Sequence, residues 1–458
     1  MTSPSSADAP AFSSRYRATV LAVLVLAYTL NFIDRTIISI IALPIKADLK
    51  LTDTQLGWLG GLSFALLYTT LGIPIARLAE RRNRVNIIAL AILVWSGFTA
   101  LCGTATSYLS LLLFRVGVGV GEAGLSPPAH SLISDYYPPQ KRAMALSIYS
   151  LGIPLGMMFG AVAGGWFAQH VSWRAAFFAV GAPGLLVALI LKLTIREPPR
   201  GWSEAAAEPA APARMRDVAR RLFSRWGLAN VVAGVTVVSF ASYGMGQYAP
   251  AYLLRTFPLD LTQVGLMTGL VAGVANGAGL LLGGWLTQRL ARRSARSYAL
   301  VPALGVLLAA PLYVLAYTRE TWPAAVGVLL LAGVVHYLYL GPTFAVVQNA
   351  FGTRSRATAA ALLLFTLNLI ALGFGPPFTG WCIDMFTQHA WSGAGSFVAA
   401  CPGGTAPAGS GAAAQAACAG ALAQGTRAGM IVTALLFVWG SLHYLLGALT
   451  LHKDVGAD

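Results

Sequence analysis

The sequence predicts an all-α membrane protein whose twelve transmembrane helices form two six-helix bundles. Hydrophobic residues make up 57% of the 458 residues and charged residues only 10%, whereas soluble domains carry roughly 25% charged residues. The apolar residues come in long blocks, and each span needs roughly 20 of them, so twelve spans fit this length. This composition excludes a soluble enzyme, a disordered protein and a small disulfide scaffold.

Hydrophobic runs separated by short polar breaks give the predicted helices in chain order. The first six predicted spans are 16–42, 55–78, 85–104, 108–135, 141–169 and 173–193. The second six are 228–254, 262–290, 296–316, 322–349, 353–384 and 423–451. Pro198, Pro199, an Ala/Pro/Glu stretch and an arginine cluster interrupt the hydrophobicity between the two sets, which is typical of a linker.

The linker divides the chain into two bundles with polar ends. The predicted parts are an N-terminal segment 1–15, a bundle 16–193, a linker 194–227, a bundle 228–451 with a long outer loop 385–422, and a C-terminal segment 452–458. The end of the linker carries apolar residues at helical spacing, with arginines largely around the other side. These apolar residues are Met215, Val218, Leu222 and Trp226. Two interpretations stay open: a basic amphipathic helix on the anionic inner leaflet, or a helix in solvent.

The formal net charge of +15 is explained by membrane topology. Most of the 31 lysines and arginines lie near the chain ends and in alternate loops on one side of the predicted membrane. Cytoplasmic loops carry this excess of basic residues, so both termini are predicted to be cytoplasmic. The basicity therefore gives no reason to expect nucleic acid as a partner. The arginine-rich, lysine-poor composition is typical of bacteria, so we predict a multi-pass protein of the bacterial inner membrane.

Two of the four cysteines lie in one loop. Cys401 and Cys418 fall in the Gly/Ala/Pro-rich loop 385–422, on the side opposite the basic loops. Because that side faces an oxidising compartment and the loop has no apolar core of its own, we predict a structural disulfide. Cys102 and Cys382 lie within or at the ends of helices and are expected to be buried thiols.

Away from the helix ends, four charged residues lie inside the predicted spans of the first half: Asp34, Arg35, Arg115 and Glu122. A charge at the centre of a membrane costs roughly 2.5–3.5 kcal/mol on insertion scales, so such residues usually serve a function. One interpretation is a static ion-pair cluster that joins the first and fourth helices. The other, which we favour, is a proton-sensitive site in which the two acids carry protons and the two arginines exchange partners.

Depth in the membrane indicates how these charges are paired. Asp34 and Arg115 lie at similar depths, roughly 10–12 Å from the outer ends of their helices, so we expect them to meet. Glu122 lies two turns deeper than Arg115, and we expect it to have no cation directly beside it. Burial then disfavours its charged form, which makes Glu122 the better proton carrier. Arg35 has a long side chain that could serve either acid.

Away from their ends, the predicted spans of the second half carry no Asp, Glu, Lys or Arg, so we expect no intramembrane charge there. Their polar residues include Tyr243, Gln247, Asn276, His336, Tyr337, Tyr339 and Asn368. His336 has the same offset in the tenth span as Glu122 has in the fourth, so the repeat would place the two across a cavity; the alternative is a hydrogen-bonded packing histidine. The predicted substrate cavity consists of Asn31, Tyr243, Gln247, His336, Tyr337 and Asn368. A neutral, aromatic wall suits an amphiphile better than a multiply charged solute.

A short motif recurs between the second and third helices of each half. The first copy is A-R-L-A-E-R-R-N-R at 76–84, and the second is G-W-L-T-Q-R-L-A-R at 284–292. Both resemble the loop signature of the major facilitator superfamily, G-x-L-A-D-R-x-G-R-K. The resemblance implies that superfamily's fold, with the substrate site at the bilayer midplane between the two halves. Glu80, Arg81 and Arg84 are then the predicted cytoplasmic gate.

The first half also resembles the Spinster family of that superfamily. The run N-F-I-D-R at 31–35 looks like the family's N-Y-x-D-R, and G-V-G-V-G-E-A at 117–123 looks like its glycine-rich run. Residues 147–156 resemble its S-I-x-x-x-x-I-P-x-G, and 196–201 match its R-E-P-P-R-G. The resemblance implies a proton-coupled transporter of lysolipids or sphingoid phosphates that works by alternating access.

Other functions stay open beside this one. A proton-coupled carrier of small organic anions or of hydrophobic drugs is the alternative, although an anion carrier should have a cation in the second half. The sequence has no H-E-x-x-H, C-x-x-C or G-x-S-x-G array, so we predict no enzyme, no catalytic or metal site and no cofactor. The expected partners of this predicted monomer are an amphiphilic or lipid substrate, protons and membrane lipids.

Overall fold

A computed structural model describes residues 12–200, 215–351 and 355–454, and its regular elements over these residues are helices. Twelve helices are long and apolar enough to cross a membrane. In chain order, α1 to α12 are Ser14–Ile40, Asp53–Ala79, Arg84–Cys102, Tyr108–Tyr136, Met144–His170, Trp173–Thr194, Trp226–Thr256, Leu261–Ala291, Ser297–Tyr317, Trp322–Val347, Thr358–Ala390 and Gly411–Leu451. The predicted fold class and number of spans are confirmed.

The last helix differs from its prediction. It begins at Gly411, whereas the predicted span begins at 423, because the alanines of 412–421 favour a helix. The predicted loop 385–422 is therefore largely helical at both ends. The predicted disulfide between Cys401 and Cys418 is confirmed, and it holds the remaining loop against the start of α12.

Each half of the chain packs as its own bundle. In the first half, α1 packs against α5 and α6, and α3 packs against α4 and α6. In the second half, α12 packs against α7, α9 and α11. Each half thus buries its apolar faces internally and leaves many leucines exposed on the outside, where a bilayer would cover them.

The two ends of the helices can be named by what they carry. The end with the short helix Ala42–Leu49 and the Cys401–Cys418 bridge is here called the disulfide face. The opposite end, with the start of α1 and the end of α12, is the termini face. The first eleven and last four residues of the chain lie outside the described residues, so the predicted N- and C-terminal segments are described only in part.

The two halves contact each other through α5 with α8 and through α2 with α11. Most of these contacts are made by the first section of α8, Leu261–Leu270, and the first section of α2, Asp53–Gly60. Both sections lie next to the disulfide face. At Gly165 of α5, a Cβ atom would come within 2.3 Å of the Leu261 carbonyl oxygen, so only glycine allows this approach. The halves are therefore tightly joined on the disulfide side.

The described end of the linker forms a helix, Met215–Ser224. Its apolar residues Val218 and Leu222 are buried, and the helix contacts α7 and the helix Arg356–Thr366 that leads into α11. The second half therefore covers the centre of the apolar stripe, whereas Trp226 at its end is exposed. Met215 stays exposed. Residues 201–214, the rest of the predicted linker, lie outside the described residues.

Candidate functional site

The fourth span is interrupted directly after Glu122. The helix Tyr108–Glu122 ends there, and the next helix begins at Ser126. Pro127 and Pro128 lack an amide hydrogen, so the hydrogen bonds of a continuous helix cannot form across this point. A carboxylate at the end of a helix faces the negative end of the helix dipole, which disfavours its charge. Glu122 therefore needs a cation from another helix if it is to be ionised.

Arg35 of α1 is that cation. Its Nε donates to Glu122 Oε2 at 2.6 Å, and the glutamate side chain is fully buried while 20% of the arginine side chain is exposed. The prediction that Glu122 has no cation directly beside it is wrong. The reason is that the interruption of α4 and the long arginine side chain bring the two groups together, which an estimate of depth alone does not include.

Three aromatic rings surround the guanidinium of Arg35. Its Cζ lies 5.0 Å from the ring centroid of Phe32, 4.8 Å from that of Phe64 and 4.5 Å from that of Tyr68. Rings at this distance attract a cation through their negative faces. They fix the plane of the guanidinium, so its remaining N–H groups have a defined direction.

Asp34, the next residue on α1, has a different environment. It is 1% exposed, and both carboxylate oxygens accept from Thr99 Oγ1 of α3, at 2.7 and 2.8 Å. Within the described residues it has no ion pair with an arginine. The expected ion pair between Asp34 and Arg115 is therefore not formed in this structure, although Arg115 and Arg35 both lie near enough to act on Asp34 electrostatically. Adjacent helix residues point about 100° apart, which directs Asp34 to α3 and Arg35 to α4.

Several buried polar atoms around this pair have no hydrogen-bond partner within the described part of the chain. They are Arg115 Nε and Nη1, Glu122 Oε1, and both amide atoms of Asn31. Arg115 is 1% exposed, and its guanidinium lies 5.6 Å from the Phe64 ring. Unsatisfied buried groups are rare in folded proteins and are found where a ligand, an ion or a conformational change supplies the partner. Here they coincide with the predicted charge switch.

Close helix packing supports the site from behind. A Cβ atom on Gly121 would come within 2.4 Å of the Trp95 backbone nitrogen of α3. The glycine-rich run of α4 thus lets a neighbouring helix, rather than a ligand, approach its backbone at this position. The arrangement fixes the helix that carries Arg115 and Glu122.

The predicted cavity residues of the second half fall into two groups. Tyr243 is 40% exposed, and Tyr337 and Asn368 are partly exposed. Gln247 is buried, and its side chain packs against Gly60 of the first half.

His336 lies inside the second half, where it is 2% exposed. Its Nε2 is hydrogen-bonded to Ser242 Oγ at 2.8 Å and its Nδ1 to the Tyr313 hydroxyl at 3.2 Å. This environment fits a hydrogen-bonded packing histidine rather than a cavity residue opposite Glu122.

The predicted gate residues also separate. Glu80 and Arg81 are exposed, whereas Arg84 is buried. Arg84 Nη1 lies 2.5 Å from Asp135 Oδ2, and its Nε lies 2.6 Å from Glu197 Oε1. In this structure Arg84 therefore joins α3, α4 and the segment after α6 within the first half, and it makes no described ion pair with the second half.

Arg84→Ala is expected to lower the free energy of unfolding by about 3 kcal/mol, because it leaves two acids near the protein interior without their cation. Thermal unfolding of the purified protein in detergent would measure this. Arg81→Ala, an exposed site three residues earlier, is the matched control and should leave the melting temperature unchanged. Equal melting temperatures for both variants would show that the Arg84 contacts contribute no stability.

Sequence reasoning missed a second group of charges at the disulfide face. Lys46, Asp53, Arg255 and Asp384 are joined there across the two halves. Arg255 and Asp384 lie towards the ends of α7 and α11 at the disulfide face. Both lie at the predicted helix ends, where charged residues are common and do not by themselves indicate a site.

Comparisons with known proteins agree with this architecture. The Major Facilitator Superfamily model matches residues 24–376. An MFS-type efflux pump of Mycolicibacterium smegmatis is 35% identical over 369 residues, which cover 80% of this chain and 84% of the pump. Protein spinster homolog 1 of Bos taurus is 30% identical over 325 residues, which cover 66% of this chain and 61% of that protein.

The crystal structure of a bacterial homologue of the human lysosomal transporter Spinster is similar over nearly its whole length. It is 36% identical, covers 97% of this chain and 99% of its own, and gives a TM-score of 0.89. That structure is in an inward-facing and unoccupied conformation. In the chain described here, the two halves contact each other on the disulfide side.

Proposed function

Because the chain belongs to the major facilitator superfamily as a Spinster-type transporter, we propose that it is a proton-coupled carrier of a lipid-like amphiphile. Membership of this superfamily makes it a transporter and not an enzyme. The proposed transport is by alternating access, with the termini face in the cytoplasm of a bacterial cell and the disulfide face outside. The distribution of basic residues supports this orientation.

The observation that carries the proposal is the buried Arg35–Glu122 ion pair. Protonation of Glu122 removes the negative charge opposite Arg35 and leaves a guanidinium among aromatic rings without its anion. That guanidinium then needs a new anion, which Asp34 or a substrate can supply. A proton and a substrate anion would thus act on one cation, and this competition couples them.

The surroundings of Arg35 favour a substrate that is anionic at one end and apolar at the other. A guanidinium held by three rings can bind a phosphate or carboxylate in a bidentate fork. Tyr243 and Tyr337 of the second half offer aromatic surface without charge. A lysolipid or a sphingoid phosphate combines both features.

The alternative is export of hydrophobic drugs or transport of small organic anions. The similarity to the M. smegmatis efflux pump favours the first of these, since that relative covers most of this chain. A drug without an anionic group could not form an ion pair with the Arg35 guanidinium. The two proposals therefore differ in whether a negative headgroup is required.

A ligand screen by thermal shift tests the substrate class. Single-chain lysophosphatidic acid or sphingosine phosphate should raise the melting temperature in a concentration-dependent way, because a ligand that binds only the folded state stabilises it. The matched control is monoacylglycerol of the same chain length, which has no phosphate and should have little effect. Glucuronate and a hydrophobic cation represent the alternatives. A shift with either of these and none with the phosphate lipids would overturn the lipid proposal.

A further inference from the structure

A network of charged residues joins the two halves at the disulfide face. Lys46 of the short helix Ala42–Leu49 and Asp53 at the start of α2 come from the first half. Arg255 at the end of α7 and Asp384 near the end of α11 come from the second half. None of these residues belongs to the proposed proton and substrate site.

Asp53 is the centre of the network and is fully buried. Its Oδ2 accepts from Lys46 Nζ at 2.6 Å, and its Oδ1 accepts from Arg255 Nη2 at 2.7 Å. Arg255 also donates from Nη1 to Thr426 Oγ1 of α12 at 2.8 Å, so it is anchored within its own half. One carboxylate of the first half is therefore held by a cation from each half.

Asp384 makes a second bridge in the opposite direction. The first amide groups of a helix have no partner within that helix, and the positive end of the helix dipole attracts an anion there. The backbone amides of Asp53 and Thr54 donate to the Asp384 carboxylate at 3.0 and 2.8 Å, and Thr54 Oγ1 donates to it at 2.6 Å. An acid of the second half thus caps a helix of the first half.

The disulfide-bonded loop covers this network. Phe397, Cys401, Ala406 and Cys418 form part of a small apolar cluster that is separate from the main core. At Gly403, a Cβ atom would lie 2.9 Å from the Lys46 carbonyl oxygen, so the loop rests directly on the short helix of the first half. A loop that belongs to the second half therefore encloses a lysine of the first half.

We propose that Lys46, Asp53, Arg255 and Asp384 form a latch that holds the disulfide face closed, with the Cys401–Cys418 loop as its lid. Opening this face separates α2 from α7 and α11, and every bond between halves in the network must break. The same bonds cannot form in the open state, so they stabilise the closed state alone. The latch thereby sets how often the transporter opens to the disulfide face.

This inference rests on the alternating access of the proposed function, and its test uses neither substrate nor a proton gradient. Spin labels at Thr106→Cys and Glu320→Cys, both exposed at the disulfide face in different halves, report the separation of the halves by pulsed electron resonance. Cys102 and Cys382 are replaced by alanine in every variant. Failure of the latch would then leave the proton and lipid proposal standing.

Asp384→Asn is expected to raise the population of long label distances roughly tenfold, because weakening charge-assisted hydrogen bonds commonly changes an equilibrium by about that factor. The matched control is Asp48→Asn at the same face. Asp48 pairs with Arg174 within the first half at 2.6 Å, so its loss should leave the distances unchanged. A distribution for Asp384→Asn that is identical to the parent would overturn the latch.

Two milder variants keep the proposal testable if Asp384→Asn does not fold. Thr54→Val removes one hydrogen bond to Asp384 and keeps the side-chain shape, so a smaller increase in long distances is expected. The double variant Cys401→Ser with Cys418→Ser loosens the lid and should shift the distances in the same direction. If both fold and neither changes the distances, the network and the loop do not hold this face closed.

Discussion

Glu122→Gln is expected to abolish the pH dependence of transport while leaving the fold intact. Glutamine keeps the size of the side chain and mimics the protonated acid, so Arg35 loses its anionic partner at every pH. Transport should then proceed at a rate that no longer changes with pH. Uptake of labelled lysolipid into proteoliposomes, measured on both sides of neutral pH, would show this.

Asp34→Asn is the informative comparison for this experiment. Asp34 is hydrogen-bonded to Thr99 and has no described ion pair, so its loss should change the rate but keep a pH dependence from Glu122. Equal melting temperatures would establish that both variants fold. If Glu122→Gln transports with unchanged pH dependence, Glu122 is a packing residue and the proposed coupling is wrong. If only Asp34→Asn removes the pH dependence, the proton is carried by Asp34.

The identity of the intramembrane charges in the first half could be predicted from the sequence, but their pairing could not. Hydrophobic runs reveal a charged residue within a span because it interrupts an apolar pattern. Pairing depends on how each helix is rotated about its axis, because successive side chains on a helix point about 100° apart. Asp34 and Arg35 therefore contact different helices, although their depths are nearly equal.

His336 shows the same limit for the internal repeat. Its offset in α10 equals that of Glu122 in α4, and this equality predicts a common depth. The structure places it behind Ser242 and Tyr313, within the second half. A repeat conserves the order and depth of helices more closely than the direction of a single side chain.

The latch was missed because its contacts join residues far apart in the chain. The hydrogen bond from Thr54 to Asp384 joins residues 330 positions apart, and no local sequence pattern predicts it. An acid at the start of a helix, such as Asp53, is an ordinary feature that stabilises the helix dipole. The disulfide could be predicted because two cysteines in one outer loop lie close in sequence.

Arg35→Lys is expected to weaken substrate binding roughly 10- to 100-fold although the charge is kept. The guanidinium lies among three aromatic rings and donates through Nε to Glu122, which leaves its terminal N–H groups for a ligand. An ammonium has no planar fork and cannot form two parallel hydrogen bonds to a phosphate. Losing one charge-assisted hydrogen bond costs about 1.5–3 kcal/mol, which corresponds to this loss of affinity.

The affinity is measured by titrating lysophosphatidic acid against the purified protein in a thermal-shift or fluorescence assay. Arg81→Lys makes the same chemical change at an exposed position and should bind as the parent does. The difference in affinity between lysophosphatidic acid and monoacylglycerol of the same chain length should also be smaller for Arg35→Lys than for the parent. The planar guanidinium provides the extra affinity for the phosphate, and the lysine ammonium does not. If Arg35→Lys binds the phosphate lipid as tightly as the parent, Arg35 serves only to hold Glu122. The charges of α1 and α4 would then be the static ion-pair cluster, and the substrate headgroup would have to bind elsewhere. The next residue to change would be Arg115, whose buried Nε and Nη1 have no hydrogen-bond partner among the described residues.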